Sequence, residues 1–373
     1  MRPMRMRLSA LAVAALGLLA ASGQAWAQGS AEENRNNIGY GTKAGEFLLL
    51  PVGARATALG SAYSALADDP SALYWNPAGA ALVKQASASV SRMQYIADTN
   101  YTWGGLVVPL GLGTWVVGAQ FSGFSFGDQE VYTEEQPEGT GSFYTNSMFM
   151  AGGTLAMNVT DRFSFGGTAK FIQESLYKTS GSTVAFDIGS NYHTTVGGKP
   201  FRAAFSILNL GGNIKVDGSA LVRSIDNSNP DEPPRQDQAH LTAESFALPV
   251  MFKVGLGWEA LSSATNSLWL NGEFWQPQQN STSTAVGAEY SLHPSGATGV
   301  SLALRGGYAY EPDRALTGAG GVDLGDKSSD GLTFGGGVGY RPGEKGFGLS
   351  VDYAYRNMGF LGNSNMFTVN VTW

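Results

Sequence analysis

The three histidines are the first residues that could support catalysis or metal binding. His193, His240 and His293 lie far apart in the sequence, and no two of them have the spacing of a metal-ligand pair. The chain contains no cysteine, which excludes disulfides and cysteine-ligated metal. No G-x-S-x-G or phosphate-loop motif occurs, and no serine has an obvious histidine partner of the kind that a phospholipase needs. We therefore expect no enzyme activity, no metal and no cofactor.

Two further patterns could bind ions or phosphates. Asp323, Asp326 and Asp330 lie close together in "DLGDKSSDG", and clustered carboxylate oxygens suit Ca²⁺. Their spacing is not that of an EF-hand, so a solvated acidic loop is the favoured interpretation. The glycine-rich runs at 335–339 and 255–257 lie in strand-like segments, where glycine permits curvature or the close approach of another part of the chain. We interpret both runs as structural.

The amino terminus has the three parts of a secretory signal peptide. Three arginines within the first seven residues precede an apolar run at residues 8–21, and "AWA" at 25–27 forms a cleavage site. The apolar run is shorter than the roughly 20 residues that a membrane-spanning helix needs. We predict a signal peptide at residues 1–27 and export of the rest of the chain. The net charge of -7 argues against a nucleic-acid partner.

Beyond residue 85 the sequence alternates between apolar and polar residues. In the final stretch, "NMFTVNVTW", Phe367, Val369, Val371 and Trp373 share one face and polar residues occupy most of the other. Alternation with a period of two is typical of a strand with one apolar side. Fourteen such segments follow one another, at 85–96, 99–109, 113–125, 143–157, 163–176, 182–194, 201–213, 247–260, 266–277, 282–293, 299–310, 331–341, 346–356 and 364–373.

The connections between these segments sort by length. The three longest, at about 126–142, 214–246 and 311–330, all follow odd-numbered strands, whereas every connection after an even-numbered strand is short. Bacterial outer-membrane barrels have an even number of strands, short periplasmic turns and long external loops. A soluble β-sandwich gives no reason for such sorting. We therefore predict an all-β protein: a 14-stranded antiparallel transmembrane β-barrel over residues 85–373, in contact with outer-membrane lipid.

Charged residues of both signs fall on the inward faces of the predicted strands. They are Lys170, Asp187, Lys253, Glu259, Glu273, Glu289, Arg305, Arg341, Asp352 and Arg356. Charges that face a lumen must be hydrated or paired. Fourteen strands enclose more space than their own side chains can fill, so we predict that residues 28–84 form an N-terminal plug.

The predicted plug has two parts. "AEENRNNIGYGTKAG" (31–45) is polar, and we expect it to be extended or mobile on the periplasmic side. Residues 54–67 are rich in small side chains, which suits close packing inside a lumen. Arg55, Asp68 and Asp69 either pair with the charges of the wall or remain solvated, and the sequence leaves both interpretations open.

One stretch of the plug resembles a known family. "FLLLPVGARATALGSAYSALADDPSALYWNPAGAAL" (47–82) is similar to the N-terminal motif of the PorV/PorQ family, within the FadL-like superfamily of fourteen-stranded outer-membrane barrels. The matching positions are Pro51, Gly53, Ala54, Arg55, Gly60, Ala67, Asp69, Ala72, Trp75, Asn76, Pro77, Ala78 and Gly79. The resemblance implies that Asn76, Pro77 and Ala78 anchor a hatch that blocks the lumen. The last strand, ending at Trp373, also resembles the C-terminal signal read by the outer-membrane assembly machinery.

The resemblance implies two functions of different classes. PorV-like barrels bind secreted cargo proteins and shuttle them to surface attachment in type IX secretion, and this is the role that the motif favours. FadL-like barrels pass hydrophobic compounds such as long-chain fatty acids through the lumen and a lateral opening. For the second role, Gly118 and Gly123 on the third strand are candidates for a break in the wall. A simple pore is disfavoured because the hatch should block free diffusion.

Overall fold

The computed structural model describes residues 42–111, 114–226, 236–278, 282–294, 299–310, 331–343 and 346–373. The predicted signal peptide, the Asp323–Asp326–Asp330 group and residues 31–41 of the polar segment lie outside these residues. Within them, fourteen long strands form one sheet. These strands are β1 (Ser87–Gln94), β2 (Asn100–Leu110), β3 (Trp115–Ser125), β4 (Ser147–Thr160), β5 (Phe163–Leu176), β6 (Thr179–Val196), β7 (Lys199–Gly211), β8 (Met251–Ser262), β9 (Asn266–Pro277), β10 (Ser283–Leu292), β11 (Val300–Tyr310), β12 (Leu332–Tyr340), β13 (Gly348–Asn357) and β14 (Asn363–Thr372).

The sheet closes on itself. Each strand pairs antiparallel with the next along the chain, and β14 pairs with β1, so that Val369 lies opposite Val90. The prediction of a closed, fourteen-stranded antiparallel barrel is confirmed. The main difference in boundaries concerns β4, which was expected to begin at residue 143. Phe143–Tyr144 instead pairs with Gln129–Glu130 in a hairpin beyond the barrel wall.

The two faces of the wall differ in polarity. Outward positions carry large apolar side chains that the protein itself leaves uncovered, and Leu304 is 70% exposed. Inward positions on the same strands carry small, polar or charged residues, such as Ser301 and Arg305 on β11. A continuous apolar outer band is the surface that a bilayer covers. The outward positions Phe367, Val369 and Trp373 of the last strand belong to this band.

The plug folds into short helical segments, because its sequence ends each helix after one or two turns. A 3₁₀ turn (Glu46–Leu49), helix α1 (Ala54–Ala58), helix α2 (Ala72–Trp75) and a second 3₁₀ turn (Pro77–Leu82) follow one another. Helix α2 ends at Asn76, whose backbone is extended (φ −162°, ψ 105°), because a residue before proline is disfavoured in the helical region. The side chain of Asn76 then accepts a hydrogen bond from the Ala78 N–H and begins the next turn.

The plug crosses the lumen from the long-loop end to the short-turn end. At the long-loop end, Ala44 N–H donates to the carbonyl of Ala247 (3.1 Å), and Gly45 N–H donates to Glu174 Oε1 (2.7 Å). At the short-turn end, Asn158 Nδ2 donates to the carbonyl of Ala81 (3.0 Å). Long loops mark the external side. Ala44 and Gly45 therefore lie at the external end, and the expectation that they lie on the periplasmic side was wrong. The rest of that segment, 31–41, lies outside the described residues.

Inward glycines make room for the plug backbone. A Cβ built on Gly307 would collide with the backbone of Leu59 and Gly60, and one built on Gly335 would lie 2.7 Å from the Cβ of Ala58. Gly60 itself has a φ of +67°, which glycine adopts without strain. Further inward glycines that lie against the plug are Gly105, Gly118, Gly166, Gly189, Gly255 and Gly287. The glycine-rich runs of the wall thus hold the plug in place.

Replacement of Gly307 by valine should dislodge the plug, because its side chain has no space beside Leu59. Gly306 is the matched control, since it is the neighbouring residue on the lipid-facing side and a Cβ there meets nothing within 4 Å. We expect protease to cleave the plug of purified Gly307→Val barrels but not of Gly306→Val barrels. Equal protection of the two plugs would contradict the fit described here.

Candidate functional site: the plug and the lumen

Asn76 joins the plug to the wall through its whole side-chain amide. Its Nδ2 donates to the carbonyl of Ser190 on β6 (3.1 Å) and to that of Ser64 within the plug (3.3 Å), while its Oδ1 holds Ala78 N–H (3.1 Å). The residue is fully buried. A buried polar group is costly unless it is hydrogen-bonded, so Asn76 fixes both the turn and its position against β6.

Glu273 on β9 binds a bend of the plug. Its Oε2 accepts from the backbone N–H groups of Tyr63 (2.9 Å) and Ser64 (2.8 Å), and the Ser64 hydroxyl donates to its Oε1. Lys253 on β8 lies 3.7 Å from the same carboxylate and 4.2 Å from the ring centre of Trp75. The positive charge of this lysine is stabilised by one carboxylate and by the face of an aromatic ring.

Arg55 makes the main ionic contact between plug and wall. Its guanidinium binds Glu289 on β10 through two hydrogen bonds of 2.8 Å each. Glu289 also accepts from Arg305 on β11 (2.6 Å), which in turn binds Asp352 on β13 (2.6 Å). Bidentate arginine–carboxylate contacts are strong and directional. We call the chain Arg55–Glu289–Arg305–Asp352 the charge clamp.

Asp68 extends the plug's ionic contacts to the opposite wall. It binds Arg55 (2.8 Å) and Arg202 of β7 (3.0 Å). Burial acts to raise the pKa of Asp68, but the two guanidinium groups outweigh burial and hold the pKa below its ordinary value. The contact is therefore complete above the ordinary titration range of aspartate and is lost as pH falls through the lowered pKa. Asp69 binds the Tyr63 hydroxyl (2.6 Å).

A second buried ionic group lies in the wall itself. Lys170 Nζ lies 2.8 Å from Asp187 Oδ1 and 2.5 Å from Asn209 Oδ1. The register between β6 and β7 shifts at Asp187, and Asn209 has a φ of +62°. Asn209 N–H donates to Asp187 (2.8 Å) and its Nδ2 donates to the carbonyl of Pro249 (3.1 Å). The register shift is a β-bulge, which interrupts the backbone hydrogen bonds between β6 and β7. These side-chain contacts replace the hydrogen bonds that are lost there.

The remaining residues singled out in the sequence lie apart from these contacts. Glu259 is half-buried near the short-turn end of β8, where the register shifts. Arg341 is exposed at the short-turn end of the wall and donates to the Gln85 side chain. Arg356 is half-buried near the long-loop end of β13. Within the plug, Pro51, Gly53, Pro77, Ala78 and Gly79 are buried, and Gly79 lies against the carbonyl of Ala67.

One side of the lumen carries an apolar layer toward the external end, which the sequence analysis missed. Inward side chains of β1 to β5 form this layer, and Phe47, Leu48 and Tyr74 of the plug pack against it. Its wall members are Met93, Tyr101, Trp103, Phe124, Met150 and Ile172, all buried. We call this set the outer apolar layer. A signal was present in β2, whose central residues "TWGGLVVP" are apolar on both faces, as expected where a strand contacts lipid outside and an apolar lumen inside.

A polar cavity of about 340 Å³ lies on the other side of the plug. Arg55, Asp68 and Asp69 of the plug form one side of it, and inward residues of β10 to β14 and of the start of β1 form the other. The plug therefore contacts the outer apolar layer on one side and this polar, periplasmic cavity on the other.

The wall shows no break at the expected positions. Gly118 and Gly123 of β3 keep their partners on both β2 and β4, so they are not the site of an opening in this structure. Across the described ranges, no helix is long and apolar enough to cross a membrane. In the same ranges, no three His, Asp or Glu side chains come together as metal ligands would.

A closed fourteen-stranded barrel filled by its own N-terminal segment defines the class: a plugged outer-membrane β-barrel. The chain belongs to the family described as Uncharacterised protein family (UPF0164), whose sequence profile matches residues 20–255. No curated protein matches the sequence.

Solved structures with the same fold include two proteins that carry aromatic compounds. CymD, a monoaromatic hydrocarbon channel, is 10% identical with a TM-score of 0.52, over 87% of this chain and 97% of its own. The toluene transporter TodX of Pseudomonas putida is 12% identical with a TM-score of 0.52, over 86% and 96%. A FadL homologue of Pseudomonas aeruginosa has 12% identity, a TM-score of 0.48, and coverage of 87% and 98%. At these identities, the likeness to CymD and TodX establishes the fold.

Glu289→Gln should weaken the charge clamp strongly, because it leaves Arg55 and Arg305 without their shared carboxylate. Removing one partner from a buried ionic group lowers the free energy of unfolding by about 3–5 kcal/mol. We expect a loss of that order in the free energy of unfolding, measured by urea titration in phospholipid vesicles. Glu259→Gln is the matched control, since Glu259 is half-buried and belongs to no ion pair among the described residues. Equal losses for the two variants would contradict the assignment.

Proposed function

We propose that this protein passes small hydrophobic compounds across the outer membrane, through a lumen that its N-terminal plug closes and opens. The outer apolar layer is the observation that carries this proposal. It presents buried methionine, isoleucine and aromatic side chains to the external end of the lumen. Binding sites for hydrophobic ligands are lined mainly by such side chains, with a few polar groups.

The plug must move for a compound to pass. The outer apolar layer packs directly on Phe47, Leu48 and Tyr74. Beneath them lie the paired charges of Arg55 and Glu289, which an apolar molecule could reach only by desolvating them at a large cost. A hydrophobic compound therefore reaches the outer apolar layer only by displacing the plug residues packed on it, and it has no apolar route further inward while the clamp is intact.

The fold is that of the channel CymD and the toluene transporter TodX. These proteins carry monoaromatic hydrocarbons, and the outer apolar layer here has the polarity that such compounds need. The proposal includes three parts of the chain that transport requires: a signal peptide at 1–27, a plug within 28–84, and the barrel. It also includes an assembly signal in the last strand, formed by Phe367, Val369, Val371 and Trp373.

Cargo binding of the PorV/PorQ kind is the second candidate. It is favoured by exposed apolar side chains on the external connections, where no lipid covers them. These are Tyr132, Phe143, Leu241 and Phe246, on the connections 126–146 and 212–250. Exposed apolar groups outside the membrane band suit a protein partner. We rank this role below transport, since the named structures of the same fold are a channel and a transporter.

Met150→Gln tests the transport role. Met150 is an inward residue of β4 in the outer apolar layer, and a buried amide there would obstruct an apolar path. Met157 lies on the opposite face of the same strand, so Met157→Gln is the matched control. Uptake of labelled toluene is measured in intact cells whose outer membrane carries the barrel. We expect uptake above that of cells without the barrel, and a reduction of about tenfold in Met150→Gln alone.

Two outcomes would contradict transport of hydrophobic compounds. One is toluene uptake no greater than in cells without the barrel. The other is an equal effect of the two methionine substitutions. If uptake is absent and the barrel instead retains a secreted protein through the connection 212–250, the cargo-binding role replaces the transport role.

A further inference from the structure

The polar cavity beneath the plug has an unusual balance of charge. Four carboxylates line it, and each already has a partner within the protein. Glu289 binds Arg55 and Arg305, and Asp352 binds Arg305 and Asn370. Asp68 binds Arg55 and Arg202, and Asp69 accepts from the hydroxyls of Tyr63 and Ser71.

Two cations at the mouth of the cavity are not neutralised in this way. Arg341 and Lys84 line the cavity and are exposed at its periplasmic end. Neither forms an ion pair with a carboxylate in the described part of the chain, and the partner of Arg341 there is the neutral amide of Gln85. These two cations are therefore the charged groups of the lining that are available to an anion.

The cavity also contains a buried hydroxyl group without a partner. Ser87 at the start of β1 is 4% exposed and lines the cavity, and its Oγ has no hydrogen-bond partner among the residues that the structure describes. Native proteins rarely leave a buried polar atom unsatisfied. Further hydroxyl groups line the same space, from Ser291, Ser301, Ser350 and Thr372.

Two glycines keep this space open. A Cβ on Gly337 would collide with Asp352, and a Cβ on Gly339 would collide with the Ser301 hydroxyl. The cavity volume of about 340 Å³ lies at the lower end of the range of small-molecule sites.

We propose that this cavity is a binding site for the anionic oxygen group, carboxylate or phosphate, of a small periplasmic molecule. Arg341 supplies a planar fork of donors and Lys84 a mobile positive charge, both suited to oxyanions. Ser87 donates its free hydroxyl hydrogen to an anion oxygen inside the cavity. The site does not depend on transport of hydrophobic compounds, because it lies on the periplasmic side of the closed plug.

Calorimetric titration of the full-length barrel in a non-ionic, phosphate-free detergent tests the site. The probes are inorganic phosphate, acetate and monomeric dihexanoyl phosphatidic acid, which distinguish a free anion from a lipid headgroup. Arg341→Gln should weaken binding about tenfold, because it removes a charge-assisted hydrogen bond. Ser87→Ala should weaken it by a smaller factor, and the Lys84→Gln/Arg341→Gln double variant should abolish it.

Arg162→Gln is the matched control, since Arg162 is exposed in the short turn between β4 and β5 at the same end of the barrel and does not line the cavity. The Arg162→Gln variant should bind the three probes with the same affinity as the unmodified protein. Binding of phosphate or acetate supports a site for free anions, and binding of phosphatidic acid alone supports a lipid headgroup. The site is refuted if none of the three probes binds, or if Arg341→Gln and Arg162→Gln bind with equal affinity.

Discussion

The bidentate contact between Arg55 and Glu289 is the interaction on which the closed state depends. It joins a residue near the start of the plug to a residue 234 positions later in the wall. Glu289 is buried and Arg55 is mostly buried, so removing either partner leaves a poorly hydrated charge. Arg305 of β11 and Asp352 of β13 extend the network along the wall, and Asp68 links it to Arg202 on β7. The plug is therefore held by paired charges and not by apolar packing alone.

The rest of the lumen is arranged around this contact. Inward glycines give the plug backbone its space, and Asn76 and Glu273 satisfy the polar groups of its turns. The outer apolar layer lies toward the external end, and the polar cavity lies toward the periplasmic end. In the proposed transport role, hydrophobic compounds enter from outside and leave only when the plug moves. The proposed anion site uses the polar, periplasmic end.

Much of this architecture could be predicted from the sequence, because alternation with a period of two marks each strand, and the even strand number with sorted loop lengths distinguishes a barrel from a sandwich. The charges on inward faces follow from the same alternation. Their partners do not, because the contact of Arg55 with Glu289 depends on how the whole wall closes around the plug. The outer apolar layer was missed because strands such as β2 are apolar on both faces. The direction of the plug was mistaken because no local pattern shows at which end a chain enters a barrel.

A disulfide between plug and wall tests most directly whether the plug must move. A Cβ at Gly257 would lie 3.7 Å from the Cβ of Ala65, within the range of about 3.5–4.5 Å that a disulfide spans, and the chain has no other cysteine. Toluene uptake by cells that carry the Ala65→Cys/Gly257→Cys barrel should stop under oxidising conditions and return on reduction. Uptake by the oxidised, locked barrel at the rate of the unmodified protein would contradict the account.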